Sequence, residues 1–318
     1  MKAAIVTEAG VMPTYSTFKE PKETEEELKV NVKASALSNL TKMRALGKHY
    51  SSTQTFPIVA GTDGVGTLGD GTRVYFAMPT APFGSLAEQT LVNKHLIVPI
   101  PDELDDVTAA AIANPGMSSW GALVGRAKFQ AGQTVLINGA TGSAGSLAVK
   151  IAYHLGAKKV IVAGRNAEKL AKLGADVAVS FDMTAENGAQ NFETKLAPYF
   201  QEGIDVVLDY LWGDSALAIM LAGAEAGGDH TTKFISIGAA SGQPEISLPS
   251  AVLRSSKIEI LGSGVKSVSM KNLLIAIKGV FDWAAADKIT IPTTTYDLKN
   301  IAEAWKAPLT PRAVIKVN

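Results

Sequence analysis

The stretch Thr134-Val135-Leu136-Ile137-Asn138-Gly139-Ala140-Thr141-Gly142-Ser143-Ala144-Gly145 decides the fold class of this 318-residue chain. Its first five residues form a short, mostly apolar run of the kind found in strands that are covered on both faces. A glycine-rich turn follows, and residues 146–155 continue with a helical pattern. A buried strand, a glycine turn and a helix in this order predict a βα unit of a parallel sheet.

Similar apolar runs recur after this unit, and longer helical patterns separate them. They cover residues 159–163, 177–180, 205–209, 233–237 and 258–261. Six strands in βα alternation predict a doubly wound parallel sheet, the Rossmann fold. The sequence therefore predicts an α/β class for residues 118–266.

The regions on either side of residues 118–266 have a different pattern of predicted secondary structure. Residues 1–117 contain short β segments separated by Gly and Pro, which predicts a compact and mostly β domain. Residues 267–318 hold a helical stretch and a last apolar run. Because six strands already complete a doubly wound sheet, we expect this tail to return to the N-terminal domain.

Composition excludes several classes of function. The chain has no cysteine, which removes disulfides, thiolate metal sites and thiol catalysis. Lys and Arg (30) balance Asp and Glu (30), so no basic field exists for a nucleic-acid partner. No apolar run is long enough for a signal peptide core or a membrane span, so a cytoplasmic protein without a membrane partner is expected.

The glycine turn has the properties of a dinucleotide site. Gly142 would let the backbone approach a pyrophosphate, Gly145 would allow close helix–strand packing, and the helix N-terminus would attract the anion. No Gly-Lys-Ser/Thr follows, which disfavours a nucleoside-triphosphate loop. The predicted contacts in this turn are Ala140, Thr141, Gly142, Ser143, Ala144 and Gly145.

The end of the second strand indicates which dinucleotide binds. An NAD site places Asp or Glu about 20 residues beyond the turn. Here Gly164, Arg165 and Asn166 occupy that position. This position has no carboxylate and has the guanidinium of Arg165 instead. A guanidinium can bind a 2′-phosphate, so NADP(H) is the predicted cofactor. The alternative is that Arg165 only covers the strand end.

Several segments resemble the medium-chain dehydrogenase/reductase superfamily, and within it the zinc-free quinone oxidoreductase branch related to zeta-crystallin. The resemblance rests on residues 2–6, 30–39, 61–66, 71–75 and 173–176 together with the glycine turn. It implies a Rossmann domain inserted in a GroES-like β domain, which agrees with the expected return of the tail. It also implies a homodimer formed through the strand 258–261.

The same resemblance indicates that this chain has no catalytic zinc site. Asn39 stands at the position of a zinc-binding cysteine, and Thr62-Asp63 replaces a His-Glu pair. The four histidines show no i, i+4 pairing, so no metal site is predicted. Carbonyl polarisation would then come from hydrogen bonds, which suits reduction of quinones or enones by NADPH.

The resemblance also suggests residues on the acceptor side. Asn39 and Tyr50 would hold the acceptor oxygen, with Thr41 and Asp63 as polar neighbours. Helix capping by Asn39 and Thr41, a lid role for Tyr50, and local amide bonds for Asp63 remain open. The family usually has an acidic residue where this chain has Lys42.

Further cofactor contacts are expected at strand ends and near the C-terminus. Ligands bind at the carboxyl ends of parallel strands, so Tyr210 is predicted near the adenine. The predicted nicotinamide contacts are Ile237, Gly238, Gly262 and Ser263. The resemblance further implies that Arg312 stands where relatives have a basic residue that contacts the cofactor phosphates, although a solvated surface arginine is the alternative.

Two other functions remain open. One is an alkenal or enoyl reductase of the same branch, which differs only in the acceptor. The other is a non-catalytic NADPH-binding protein, either a sensor or a crystallin-like protein.

Overall fold

The computed structural model describes residues 1–49, 52, 55–227, 230–308 and 310–317. The chain divides into two compact units. The first comprises Met1–Met117 and Leu274–Asn318, and the second comprises Ser118–Leu273. Within the described part of the chain, no helix is long and apolar enough to cross a membrane.

The elements up to the first boundary are mainly strands. In chain order they are β1 (Lys2–Val6), β2 (Thr14–Thr17), β3 (Glu27–Ala36), α1 (Asn39–Ala45), β4 (Ile58–Val59), β5 (Asp63–Thr67), β6 (Arg73–Ala77), β7 (Gln89–Asn93), β8 (Ile97–Pro99) and α2 (Asp106–Trp120), which crosses the boundary.

Strands and helices then alternate. A π-helical turn (Gly121–Ala127) precedes β9 (Thr134–Asn138), α3 (Ser143–His154), β10 (Lys159–Gly164), α4 (Ala167–Ala171), β11 (Val177–Ser180), α5 (Gly188–Glu202), β12 (Val206–Asp209), α6 (Gly213–Ala226), β13 (Thr232–Ser236), α7 (Ser250–Arg254) and β14 (Ile258–Gly262). The chain continues with α8 (Met270–Asp287), β15 (Thr293–Asp297), a 3₁₀ turn (Leu298–Asn300), α9 (Ile301–Lys306) and β16 (Arg312–Lys316).

The second unit confirms the predicted doubly wound sheet. Its strand order is β11-β10-β9-β12-β13-β14, and all five pairings are parallel. Strand β9 lies between β10 and β12, so the direction of winding reverses there. All four residues of β12 are buried, as expected for a strand covered on both faces. The glycine turn after β9 therefore lies where such sheets bind ligands.

The first unit is a mainly antiparallel β structure. One sheet has the order β15-β16-β3-β5-β6-β8, with β7 also paired to β3, and a second has the order β2-β1-β4. Val314 of β16 pairs with Ala36 of β3. The core contains Val30, Phe76 and Ile315, so side chains from both ends of the sequence share it.

One helix begins earlier than the sequence analysis predicts. The sequence predicts short β segments throughout residues 1–117, but α2 already starts at Asp106. Asp105 accepts a hydrogen bond from the Thr108 backbone N–H (2.9 Å). An Asp followed three residues later by a capped amide is a helix start signal.

Candidate functional site

The glycine turn leaves β9 through a backbone conformation that favours glycine. Gly139 has φ +87°, and a Cβ there would lie 2.9 Å from Leu211 Cγ. The backbone N–H groups of Gly139 and Ala140 both donate to the Ala163 carbonyl (2.9 and 3.1 Å). These bonds tie the turn to the end of β10.

The other two glycines of the turn have different surroundings. A Cβ on Gly145 would lie 2.5 Å from Gly139 O and 2.6 Å from Ala140 Cα. A Cβ on Gly142 would meet only Gly139 O, at 3.6 Å. Gly145 is thus needed for close packing of α3, whereas Gly142 borders open space. The N-cap residue of α3 is Gly142, which makes no side-chain cap hydrogen bond, so the first amides of the helix can face an anion.

The residues at the end of β10 include a positive charge and no Asp or Glu. A Cβ on Gly164 would lie 3.7 Å from the Thr141 methyl group, so the turn and the strand end adjoin. Arg165 is exposed. Hydrogen bonds from Thr184, and also the charge of Arg165, lower the pKa of Asp182. Asn166 caps α4 by accepting from the Lys169 backbone N–H (2.9 Å), which engages its side-chain oxygen in the fold.

The ends of β12, β13 and β14 lie along the same edge of the parallel sheet. The Tyr210 hydroxyl shares a hydrogen bond with Ser119 Oγ (2.8 Å), and burial raises the pKa of Tyr210 to about 12. Backbone N–H groups of Ile237 and Gly238 donate to the Asp209 carbonyl.

The end of β14 makes two further contacts. The Gly262 carbonyl accepts from Arg126 Nε (2.7 Å). Ser263 N–H donates to Ser236 O (2.8 Å). These bonds fix the backbone of the predicted nicotinamide contacts within the second unit, and their role toward a cofactor stays a prediction.

A buried polar group beneath the glycine turn was missed by sequence reasoning. Asn138 Nδ2 donates to Asp209 Oδ1 (2.9 Å) and to Ser215 Oγ (3.0 Å). Asp209 also accepts from the backbone N–H groups of Leu211 and Trp212. Burial raises the pKa of Asp209 to about 6 despite these bonds. The one signal in sequence is a polar residue at the end of each of two apolar runs.

A chain of hydroxyl groups organises the first unit beside α1. Ser38 Oγ and Thr41 Oγ1 share a hydrogen bond (3.0 Å), and Thr41 Oγ1 shares another with Thr62 Oγ1 (3.1 Å). Thr62 donates to Asp63 Oδ1 (2.8 Å), and the Tyr75 hydroxyl donates to Asp63 Oδ2 (3.1 Å). The Asp63 carboxylate therefore binds side-chain hydroxyls and not the local amides that the alternative interpretation expected.

Arg312 is buried and not solvated, which excludes the surface-arginine alternative. Its side chain is 6% exposed, and Nε and Nη2 have no hydrogen-bond partner among the described residues. Burial lowers the pKa of Arg312, and the charge of Asp63 opposes this effect. Burial likewise raises the pKa of Asp63, against the Thr62 hydrogen bond and the Arg312 charge. The contact of Arg312 with cofactor phosphates stays a prediction.

Asn39 lies at the surface in the first turn of α1. Ser38 is the capping residue, since its Oγ accepts from the Thr41 backbone N–H (3.0 Å), so the capping alternative for Asn39 is wrong. Tyr50 lies outside the described residues. In the described ranges, no group of three or more His, Asp or Glu side chains could hold a metal ion.

Comparison with known proteins gives consistent matches. Residues 144–278 match the family of zinc-binding dehydrogenases. A probable NADPH-dependent quinone reductase of Emericella nidulans is 27% identical over 96% of this chain and 96% of that protein. The NADPH-dependent alkenal/one oxidoreductase of Arabidopsis thaliana is 30% identical over 59% of this chain and about half (53%) of its own length. The solved quinone oxidoreductase of Thermus thermophilus superposes with a TM-score of 0.74 at 22% identity, covering 99% of this chain and 100% of that one.

Proposed function

We propose that this chain is a zinc-independent, NADPH-dependent reductase of quinones or α,β-unsaturated carbonyl compounds, because it is similar to zinc-binding dehydrogenases over residues 144–278 and to quinone reductases over nearly its whole length. The observation that carries this proposal is the open glycine turn beside Gly164 and Arg165, at the switch point of the parallel sheet. The relatives named for NADPH and quinones support the same choice.

The second unit would hold NADP(H) through its strand ends. The amides at the start of α3 would bind the pyrophosphate, because Gly142 leaves that approach open. The exposed guanidinium of Arg165 would pair with the 2′-phosphate. When bound, this cofactor supplies a hydride.

The acceptor oxygen would be polarised by hydrogen bonds and not by a metal ion. Asn39 presents a side-chain amide at the surface of α1, where it is not used for capping. A donated hydrogen bond from this amide would stabilise the charge that develops on the acceptor oxygen. Thr41 and Asp63 would be polar neighbours of Asn39 without contacting the acceptor, because the chain of hydroxyl groups holds both side chains in the interior of the first unit. Tyr50 is proposed as a second donor.

The experiment is steady-state turnover measured by the loss of nicotinamide absorbance. With 1,4-benzoquinone or an enone as acceptor, we expect rapid NADPH oxidation and much slower NADH oxidation. NADPH binding without acceptor-dependent oxidation would contradict catalysis and favour the sensor or crystallin-like function. Product analysis separates the quinone reductase from the alkenal reductase that the Arabidopsis relative suggests, since the latter converts an enone to the saturated ketone.

We also propose a homodimer and a cytoplasmic location. Among the described strands, β14 pairs only with β13, so one edge of the parallel sheet is open. Ile258, Ile260 and Leu261 of this strand are half-buried. An open apolar edge favours pairing with a second copy. Light scattering after gel filtration should give twice the 33.3 kDa chain mass, and a monomer at all concentrations would contradict the dimer.

A further inference from the structure

A small cavity lies beside the hydroxyl chain of the first unit. Its volume is about 50 Å³. A single water needs about 10–15 Å³ by the same kind of measure, so the cavity holds a small chemical group. Its walls are largely apolar and also include two threonines and one cation. The lining residues include Thr41, Arg44, Ile58, Val59, Thr62 and Phe83.

Arg44 is the one charged side chain in this wall. It is half-buried, and burial lowers its pKa. Its Nη1 donates to the Met78 sulfur (3.0 Å), which is an uncharged and weak acceptor. In the parts of the chain that the structure describes, no carboxylate pairs with Arg44. Arg73 shows the usual arrangement, because its Nη2 pairs with Asp106 Oδ1 at 2.7 Å.

The sequence neighbours of Arg44 also carry no negative charge. Residues 39–49 include Lys42, Arg44 and Lys48 but no Asp or Glu. Burial, and then the positive charge of Arg44, lower the pKa of His49. Burial also lowers the pKa of Lys42, whose Nζ donates to the Ala307 carbonyl (3.3 Å). A half-buried guanidinium without a counter-charge costs free energy that an anionic ligand would recover.

We propose that Arg44 binds the carboxylate of the acceptor, so that the substrates are unsaturated ketones or quinones carrying an acid group. This inference rests on the proposed function. The guanidinium would supply a charge-assisted hydrogen bond to the carboxylate. Ile58, Val59 and Phe83 would cover the adjoining carbon atoms, and the cavity volume fits a carboxylate and not a whole acceptor.

The test compares two acceptors that share one carbon skeleton and differ in the charge of the acid group and in one ethyl group, 3-benzoylacrylate and its ethyl ester, with saturating NADPH. We expect the wild-type kcat/KM to be at least about tenfold higher for the acid. Arg44→Met should lower the value for the acid by about 10- to 100-fold and leave the ester within about twofold. Arg44→Lys should retain most activity with the acid. Lys48→Met removes an exposed charge from the same segment and should leave both acceptors unchanged.

Other outcomes separate the two proposals. Equal use of acid and ester by the wild type, or an equal loss for both in Arg44→Met, would overturn the carboxylate site but not the reductase. If neither acceptor nor any quinone is reduced, the proposed function fails. In that case calorimetry with 3-benzoylacrylate still tests whether Arg44 binds the carboxylate. The proposal requires that binding is lost in Arg44→Met and kept in Lys48→Met. Thermal unfolding verifies that each variant is folded, and Arg44→Gln replaces Arg44→Met if it is not.

Discussion

Replacing Gly145 with alanine should destabilise the second unit through a clash with the backbone. The added Cβ would lie 2.5 Å from Gly139 O and 2.6 Å from Ala140 Cα. Ordinary contacts begin near 3.4 Å, so α3 would have to shift by almost an ångström in a close-packed interior. Neither partner is a flexible side chain, and relief therefore requires movement of the helix or of the turn.

The magnitude follows from two opposing effects. Overpacking of this kind costs about 1–3 kcal/mol, and two backbone contacts place Gly145→Ala at the upper end. Alanine in a helix recovers about 0.5–1 kcal/mol relative to glycine. The net loss is about 2 kcal/mol, which for a unit of this size lowers Tm by about 4–8 °C. Differential scanning calorimetry without ligand measures this shift directly.

Gly142→Ala is the matched variant in the same turn. Its Cβ would meet only Gly139 O at 3.6 Å, and the backbone there has φ −78°, which any residue adopts. We expect an unchanged Tm but at least about tenfold weaker NADPH binding, because the methyl group occupies the approach of the pyrophosphate. A Gly145→Ala protein that melts within about 1 °C of the wild type would refute the packing argument. Unchanged NADPH affinity in Gly142→Ala would refute the proposed approach.

Three further predictions concern charge and metal. Arg165→Ala should weaken NADPH binding by about 1.5–3 kcal/mol and leave NADH nearly unchanged in fluorescence titrations, and equal weakening of both would exclude the 2′-phosphate contact. The pKa of Asp209 rises from 3.8 to about 6 on folding, so its contribution to stability is present at acidic pH and is lost as pH rises through 6. The stability advantage of the wild type over Asp209→Asn, measured by urea unfolding, should therefore shrink by about 2–3 kcal/mol between pH 4 and pH 7, and a constant difference would contradict this. Because the family resemblance places Asn39 and Thr62 at the positions of zinc ligands, mass spectrometric metal analysis should find no stoichiometric zinc, and loss of turnover with a chelator would contradict this prediction.

The parallel sheet could be predicted because its information is local. Each strand is a short apolar run, and the glycine turn identifies β9 as the strand that precedes the dinucleotide loop. The start of α2 was missed, although Asp105 and Thr108 carry a local capping signal. The capping signal at the start of α2 covers only a few residues, and the surrounding sequence has the pattern of the β domain.

The polar interior could not be predicted because its partners are distant in sequence. Asn138 and Asp209 are 71 residues apart, and each looks like an ordinary strand end. Arg312 faces the charge of Asp63 only because β16 returns beside β3. Its sequence context favoured an exposed or phosphate-binding arginine equally. Burial of such a group depends on strand order, which a single sequence does not specify.

The position of β16 between β15 and β3 has a consequence for synthesis on the ribosome. The strands β3, β5 and β6 emerge early, but their sheet lacks its β16 partner until all of 118–273 has been translated. The inserted unit, by contrast, carries its six strands in one uninterrupted stretch. Its folding can therefore be complete while residues 34–36 of β3, which pair with β16, are still without that partner, which reverses the usual N-terminal-first order. In the nascent chain this short part of β3 is open to unwanted strand pairing.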